Sequence, residues 1–327
     1  MTREKEKIYG CLLGGAIGDA LGYPVEFMSH SKILETYGGV GINDLEKGKA
    51  FISDDTQMTL FTAEGILLTT SKEKLVDNIY LAYLRWLSTQ GYNIPVVEEG
   101  WLIHDNRLHA RRAPGNSCIS ALQSGEMGTI DEPINNSKGC GGVMRVAPLG
   151  VLCPPDEAFT YGIKTAAITH GHPSGYYPAG ALARIISLIL TGDGLVHAVE
   201  DTMDHLRKHD GSEETLNLLQ RAYMLGLENT DPFEDIKSFG QGWVGEEALA
   251  IAVYCSLRFK DDFKKALLAA VNHDGDSDST GAITGNILGA ALGTDKIPEQ
   301  WGYRVELRDK INMMAERLLY KHELYYI

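Results

Sequence analysis

Glycine recurs every fourth residue in two distant stretches, and this spacing constrains the fold more than anything else in the sequence. Gly10, Gly14, Gly18 and Gly22 form one set; Gly281, Gly285, Gly289 and Gly293 form the other. At helical pitch each set makes a stripe along one face. A glycine inside a helix costs roughly 0.5–1 kcal/mol relative to alanine, so two such stripes need compensation. Close helix–helix approach supplies it, because a missing Cβ lets backbones come nearer than the usual ~8–10 Å. The same contact would hold the loops flanking the two helices together and so form a site. Glycine is in excess overall: 36 of 327 residues is about 11%, against about 7% ordinarily.

Elsewhere apolar residues recur at helical spacing with little sustained period-2 alternation, so the chain is predicted to be all-α. The pattern predicts helices over 4–22, 57–70, 73–89, 116–124, 157–170, 176–191, 194–209, 213–227, 245–258, 262–272, 279–292 and 303–322. Turn formers mark connections at Gly38-Gly39, Gly91-Tyr92-Asn93, Ala113-Pro114-Gly115-Asn116, Cys153-Pro154-Pro155 and Thr230-Asp231-Pro232. No Ser/Gly- or Pro-rich linker splits the sequence, and residues 1–327 read as one domain, expected to be a monomer.

The composition, 44% hydrophobic and 23% charged, provides for a sizeable core. A net charge of −14 argues against nucleic acid as a partner, since phosphate contacts rest on clustered Lys and Arg. Cys11, Cys118, Cys140, Cys153 and Cys255 are odd in number, scattered and free of any C-x-x-C pair, the pattern of reduced thiols in a cytosol. Met1–Lys7 alternates charge without an apolar signal core, and no apolar stretch is long enough to span a membrane. The expected location is the cytoplasm.

Two acidic runs stand at helix starts. Ser53-Asp54-Asp55-Thr56 precedes the apolar run Met58 to Leu68, and Asp274-Gly275-Asp276-Ser277-Asp278-Ser279-Thr280 precedes the second glycine helix. Either run alone is an ordinary cap, its oxygens satisfying orphan N–H groups at the positive dipole end. Brought together, four carboxylates repel by about 4 kcal/mol per pair at 4 Å and an effective dielectric near 20. Hard cations such as Mg²⁺ or Mn²⁺ want such oxygen ligands, so a two-metal site is expected if the runs meet. Three further segments are candidates. Lys138-Gly139-Cys140-Gly141-Gly142 could cradle a phosphate or simply turn. Arg145 could pair with a carboxylate. Thr169-His170-Gly171-His172 is expected to close a helix, where an imidazole caps the negative end.

In combination these segments resemble the ADP-ribosylglycohydrolase family, which includes the dinitrogenase reductase-activating glycohydrolases. The resemblance rests on Gly14-Gly15-Ala16-Ile17-Gly18-Asp19-Ala20-Leu21-Gly22 with Glu26, Ser53-Asp54-Asp55-Thr56-Gln57, Gly139-Cys140-Gly141-Gly142-Val143-Met144-Arg145-Val146-Ala147-Pro148, Thr169-His170 and Asp276-Ser277-Asp278-Ser279, in that order along nearly the whole chain. It implies a compact orthogonal helical bundle around two divalent cations, Mg²⁺ or Mn²⁺, and hydrolysis of the bond joining ADP-ribose to a modified protein side chain, most often arginine. By the same resemblance Ser53, Asp54, Asp55, Asp276, Asp278 and Ser279 are metal ligands, and Glu26 and Asp55 are catalytic. Gly139, Gly141, Gly142 and His170 would hold diphosphate and ribose. Trp243, in Gly240-Gln241-Gly242-Trp243-Val244, is either a stacking surface for adenine or a core residue. ADP-ribose would be the product and an ADP-ribosylated protein the partner.

Two positions depart from the family pattern. Cys140 stands where many relatives carry an asparagine whose amide could bind ligand, and the Ala113–Asn116 turn lacks an acid that some relatives have there. Serine-linked ADP-ribose and a non-catalytic ADP-ribose binder are the alternative readings. Asp276-Ser277-Asp278-Ser279-Thr280 also resembles the D-x-D-x-T nucleophile motif of haloacid-dehalogenase-like phosphatases. That motif follows a strand near the start of an α/β domain, whereas here it follows a helical segment with only about fifty residues left.

Overall fold

The computed structural model describes residues 2–95 and 99–325. Its described residues form sixteen α-helices: α1 (Arg3–Gly22), α2 (His30–Tyr37), α3 (Asp54–Leu68), α4 (Leu75–Thr89), α5 (Asn116–Gln123), α6 (Ala147–Leu152), α7 (Pro155–Ala167), α8 (Pro173–Thr191), α9 (Leu195–Leu206), α10 (Glu213–Leu227), α11 (Pro232–Phe239), α12 (Gly245–Arg258), α13 (Phe263–Val271), α14 (Ser277–Leu292), α15 (Glu299–Arg304) and α16 (Arg308–Tyr325). Short 3₁₀ turns join some of them, and β pairing among the described residues is confined to two isolated bridges. The all-α expectation holds. No helix among the described residues is long and apolar enough to cross a membrane.

The glycine stripes meet. α1 and α14 run antiparallel, with Gly10 against Gly289, Gly14 against Gly285 and Gly18 against Gly281. A Cβ added at any of these six would lie within 3.0 Å of the facing backbone carbonyl. Gly22 lies against the Ser277 carbonyl in the same way. This last contact places the C-terminal end of α1 beside the N-terminal end of α14. Gly293 departs from its stripe: it lies past the last turn of α14 with φ +79°, a left-handed conformation suited to ending a helix.

Around this pair, α7 packs on α8, α10 on α12, and α3 on α4. One large apolar cluster runs from Ile8 to Leu318, and a smaller one gathers residues of α10–α13 around Tyr254 and Phe239. Buried polar pairs pin loops to this frame. Glu64 and Arg85 form an interior ion pair with N···O 2.8 Å, and Glu64 also accepts the N–H groups of Trp101 and Leu102, each at 2.7 Å.

Several boundaries differ from the expected ones. α3 begins at Asp54 and α14 at Ser277, so the acids lie inside the first turns, capped by Ser53 and Asp276. The helix expected over 157–170 stops at Ala167, which leaves His170 beyond it. The stretch 303–322 is broken because Val305 is extended and Leu307 has φ +57°; there Ala50 pairs with Arg304 and Glu306 through N–H···O bonds of 2.9 and 2.8 Å. Four short helices, α2, α6, α11 and α15, are absent from the expected set. α2 buries only Ile33, α6 is buried all round, and α11 begins in the Thr230-Asp231-Pro232 turn with Asp231 as cap and Pro232 in its first turn.

Candidate metal centre and ligand cleft

The juncture of α1, α14 and α3 opens into a cleft of about 310 Å³. Each acidic wall has a local cause. Past Gly22 the chain makes a single 3₁₀ turn, Tyr23–Val25, and turns back at Phe27 with φ +67°, which presents Glu26 to the cleft. The start of α3 is held from beneath by Asp19, whose carboxylate accepts the N–H of Ser53 at 2.9 Å, the N–H of Thr56 at 3.0 Å and the Thr56 hydroxyl. Arg112 braces the preceding strand of chain by donating to the Ile52 carbonyl at 3.0 Å and pairing with buried Glu306. Gln57 ties α3 to the 110 region, donating to the Ala110 carbonyl at 2.9 Å and accepting from Trp86 and Gln90. At the second wall the Asp276 N–H donates to the Gln241 carbonyl at 2.8 Å, and Ser279 N–H donates to Asp278 at 3.0 Å. Gly275, at φ +113° and against Gln241, permits that close passage.

One carboxylate oxygen each from Glu26, Asp276 and Asp278 lies within 4.8 Å of the others. Asp54 and Asp55 line the same cleft. At that spacing unscreened like charges cost about 3–4 kcal/mol per pair. The acids therefore hold protons unusually well. Burial, then Asp278, pushes Asp19 up to about 7. Burial, then Asp278, Asp276 and Asp54, pushes Glu26 up to about 10. Asp54, Asp55 and Asp278 are raised well above the carboxylate range, again by burial first and then by neighbouring acids. Asp54 accepts the Gly115 N–H at 3.3 Å. Glu26 Oε2 and Asp55 Oδ2 are buried without a hydrogen-bond partner among the described residues. Orphaned acceptors among crowded oxygens are what a bound hard cation would satisfy, so the donor set fits Mg²⁺ or Mn²⁺.

The remaining candidates fall on the opposite rim. The glycine loop is stitched to the Trp243 segment: Cys140 N–H donates to the Trp243 carbonyl at 3.1 Å and Gly245 N–H to the Lys138 carbonyl at 2.8 Å. Gly139 and Gly141 line the cleft and leave room for the His170 ring, which a Cβ at either would approach to within 3.4 Å. Trp243 lines it as well, stacked on exposed Phe27 with ring centroids 5.2 Å apart and planes at 21°. Trp243 is therefore a rim residue and not part of the core.

His170 is buried next to the Arg145 charge, and both effects push its pKa down to about 3, so the ring is neutral. Arg145 is wholly buried and meets no carboxylate in the described residues. It donates to Thr169 Oγ1 at 2.7 Å and to the Thr165 carbonyl at 3.2 Å, and stacks over Tyr83. The Thr169 hydroxyl, 2.8 Å from His170 Nδ1, can then donate a hydrogen bond to that nitrogen, leaving Nε2–H as the ring's donor. Arg145 thus orients the imidazole through Thr169.

Two of the sequence-predicted residues lie behind the cleft surface. Ser53 is fully buried and accepts the Asp55 N–H at 3.2 Å, a cap beside Asp278. Gly142 packs on the Gly175 carbonyl and Ala166. Glu26, Asp54, Asp55, Gly139, Gly141, His170, Trp243, Asp276, Asp278 and Ser279 all line one cleft. Phe27 and the supporting Asp19 were missed by sequence reasoning. A carboxylate beside Gly18 in the otherwise uncharged stretch from Ile8 to Gly22 was the signal for Asp19; nothing in the sequence marked Phe27.

A family model described as ADP-ribosylglycohydrolase matches residues 1–325. The chain is 27% identical to the ADP-ribosyl-[dinitrogen reductase] glycohydrolase of Rhodospirillum rubrum, over 95% of this chain and 92% of that protein. It is 26% identical to the ADP-ribosylarginine hydrolase Tri1 of Serratia proteamaculans, over 96% and 79% respectively, and 21% identical to the ADP-ribosylhydrolase ARH3 of Mus musculus, over 97% and 92%. A solved structure described as an ADP-ribosylglycohydrolase-related protein complex shares the fold with a TM-score of 0.73 at 23% identity, covering 98% of this chain and all of that one.

Proposed function

Because the chain belongs to the ADP-ribosylglycohydrolase family, we propose that it is a metal-dependent hydrolase that releases mono-ADP-ribose from modified protein side chains, arginine foremost. The observation that carries this reading is the buried acid cluster in the cleft, with Glu26 Oε2 and Asp55 Oδ2 left without partners. A fold that merely bound ADP-ribose would gain nothing from burying acids that repel one another.

Ser53, Asp54 and Asp55 from the start of α3, with Asp276, Asp278 and Ser279 from the start of α14, would hold two divalent cations. When bound, such ions acidify water and polarise ribose oxygens. The chain's own groups do the rest. Rupture of the ribosyl C1″–N bond builds oxocarbenium-like charge on the sugar, and Glu26 faces the cleft where, once bound cations offset the neighbouring acids that hold its proton, its carboxylate would stabilise that charge. Asp55 supports it from the α3 side. The diphosphate approaches a chain of net charge −14, so binding relies on local donors, the His170 Nε2–H and the backbone at Gly141, while Gly139, whose N–H is held by Ser137 Oγ at 3.2 Å, leaves room for the ligand beside them. The Phe27–Trp243 pair offers a flat apolar face for the adenine ring.

Arginine linkage is favoured by the name of the Serratia relative, an ADP-ribosylarginine hydrolase, and by charge. A guanidinium stays cationic up to a pKa above ~12 and suits an acidic cleft. The scattered cysteines, with no C-x-x-C pair, favour a cytoplasmic location. Matched arginine- and serine-linked ADP-ribosyl peptides, incubated with Mg²⁺ or Mn²⁺ and followed by mass spectrometry of released ADP-ribose, test the reading. Faster arginine cleavage is expected. Equal rates or a serine preference remove the arginine assignment, and no release from either peptide removes the hydrolase.

A further inference from the structure

The oxygen-lined cleft contains one sulfur set directly against its acids. Cys140 Sγ lies 2.7 Å from Asp276 Oδ2 and 3.7 Å from Ser279 Oγ. Asp55, only 3% exposed and with Oδ2 unpartnered among the described residues, lines the same cleft. Burial first, then the charges of Asp276 and Asp55, push the Cys140 pKa up, so the thiol keeps its proton until a cation displaces it. The remaining cysteines are placed differently. Cys11, Cys153 and Cys255 are buried away from the cleft lining, and Cys118, which does line it, accepts the Arg145 guanidinium at 3.3 Å.

Sulfur beside carboxylates changes which ions a site prefers. Oxygen donors suit Mg²⁺ and Mn²⁺, whereas thiolate draws softer ions such as Zn²⁺ and Cd²⁺. The spacing is compatible. A sulfur at ~2.3 Å and an oxygen at ~2.0–2.2 Å from one tetrahedral zinc stand about 3.6 Å apart. The Cys140–Ser279 separation of 3.7 Å matches that value, whereas the Cys140–Asp276 contact of 2.7 Å is that of a thiol donating to the carboxylate and would have to lengthen on binding. On the reading that the cleft is a cation centre, we infer that Cys140 Sγ ligates thiophilic divalent cations together with Asp276 and Ser279, so that Zn²⁺ or Cd²⁺ occupies the centre in preference to Mg²⁺. Binding breaks the S–H bond and forms a sulfur–metal bond. The proton passes to Asp276 and then to water, and no electrons change hands.

The test titrates Cd²⁺ alone into cation-free wild type, Cys140→Ser, Cys140→Ala and Cys118→Ser, following the thiolate-to-cadmium charge-transfer band in the ultraviolet. Thermal melts with Mn²⁺ run in parallel and report folding of every variant. Wild type and Cys118→Ser should show a saturable band. Both Cys140 variants should lose it and bind Cd²⁺ at least about tenfold more weakly, while their Mn²⁺-induced melting shifts stay close to that of wild type. A band that persists without Cys140, or none in wild type, overturns the thiol assignment. Mn²⁺ stabilisation of wild type without a cadmium band removes only the thiol, whereas wild type that no cation stabilises removes the cation centre itself.

Discussion

Gly14→Ala separates the packing account of the glycine stripes from a simple helix-propensity account, because the two give opposite signs. In an exposed helix the change would stabilise by up to about 1 kcal/mol. Here the new methyl meets the backbone carbonyl of Gly285 within 3.0 Å, with the Phe263 ring edge at 3.2 Å. A carbonyl cannot rotate aside as a side chain can, so the helices must part, and overpacking of this kind costs about 1–3 kcal/mol. Taking about 3 kcal/mol for a backbone obstruction and subtracting about 1 for propensity leaves a net loss of about 2 kcal/mol, or roughly 3 °C in melting temperature for a chain this long. Gly39→Ala is the control, since its added Cβ would meet nothing within 4 Å. Position along the stripe adds a second readout. Gly10 lies at the end of α1 away from the acids, whereas Gly22 faces Ser277 beside Asp278. Gly10→Ala should lower the melting temperature and keep the Mn²⁺-induced shift; Gly22→Ala should reduce both. Differential scanning calorimetry with and without Mn²⁺ measures all four variants. Stabilisation by Gly14→Ala, or a loss no larger than that of Gly39→Ala, would refute the close-packing argument.

Other consequences are as direct. Glu26→Gln should retain ADP-ribose binding by calorimetry but lose most turnover; a kcat within about threefold of wild type, under ~1 kcal/mol of barrier, ends its assigned role. The cation-free protein should lose stability as pH rises through about 7 and on towards about 10, because Asp19 and Glu26, raised to about 7 and about 10, hold until then protons that the unfolded chain releases near pH ~4. Histidines held low, His170 near 3 and His205 near 4, act in the opposite sense only below ~6.5. Saturating Mn²⁺ should flatten or reverse the trend, and melts that rise with pH without cation would contradict the acid cluster. Arg85→Ala should cost about 3–5 kcal/mol by stranding Glu64 in the interior, read by denaturant unfolding; a loss under ~1 kcal/mol would deny the ion pair that weight.

What the sequence disclosed follows how each residue exerts its effect. The glycine stripes were legible because their period is that of the helix, and the facing pairs Gly10–Gly289, Gly14–Gly285 and Gly18–Gly281 follow from it. The acidic runs were legible as helix caps, but only the α14 run follows from the pairing of the stripes; the α3 run is brought in by Asp19, whose role sequence reasoning missed. Boundaries failed where local signals were ambiguous. Asp54 and Ser277 belong to helices, but polar first turns carry no apolar periodicity, so α3 and α14 were expected to start two or three residues late. α6 escaped notice because a helix buried on every side has no polar face to set its period. Arg145 shows a deeper limit. Its partners, Thr169 Oγ1, the Thr165 carbonyl and the Tyr83 ring, are neutral groups on the turn after α7, on α7 itself and on α4, which no charge pattern could anticipate.

Asp19 links the structural and chemical roles of the glycine helix. It follows Gly18, the point of closest approach to Gly281, and the same helical turn aims its carboxylate at the N–H groups of Ser53 and Thr56. α1 thereby fixes both acidic walls at once, α14 through its missing Cβ atoms and α3 through a buried carboxylate. Asp19 also adds to the repulsion, since it raises the pKa values of Glu26, Asp54 and Asp55. An amide at position 19 would keep one hydrogen-bond acceptor for the α3 backbone while removing a charge, so positioning and electrostatics can be separated there. If Asp19 chiefly positions, Asp19→Asn should bind Mn²⁺ nearly as tightly as wild type and be more stable without cation at about pH 8.5, where the lost charge no longer repels its neighbours. If its charge instead contributes to holding the cations, Mn²⁺ affinity should fall by at least about tenfold. Calorimetric Mn²⁺ titration alongside cation-free melts distinguishes the two, and the geometry of two N–H bonds and one hydroxyl bond to Asp19 favours the positioning role.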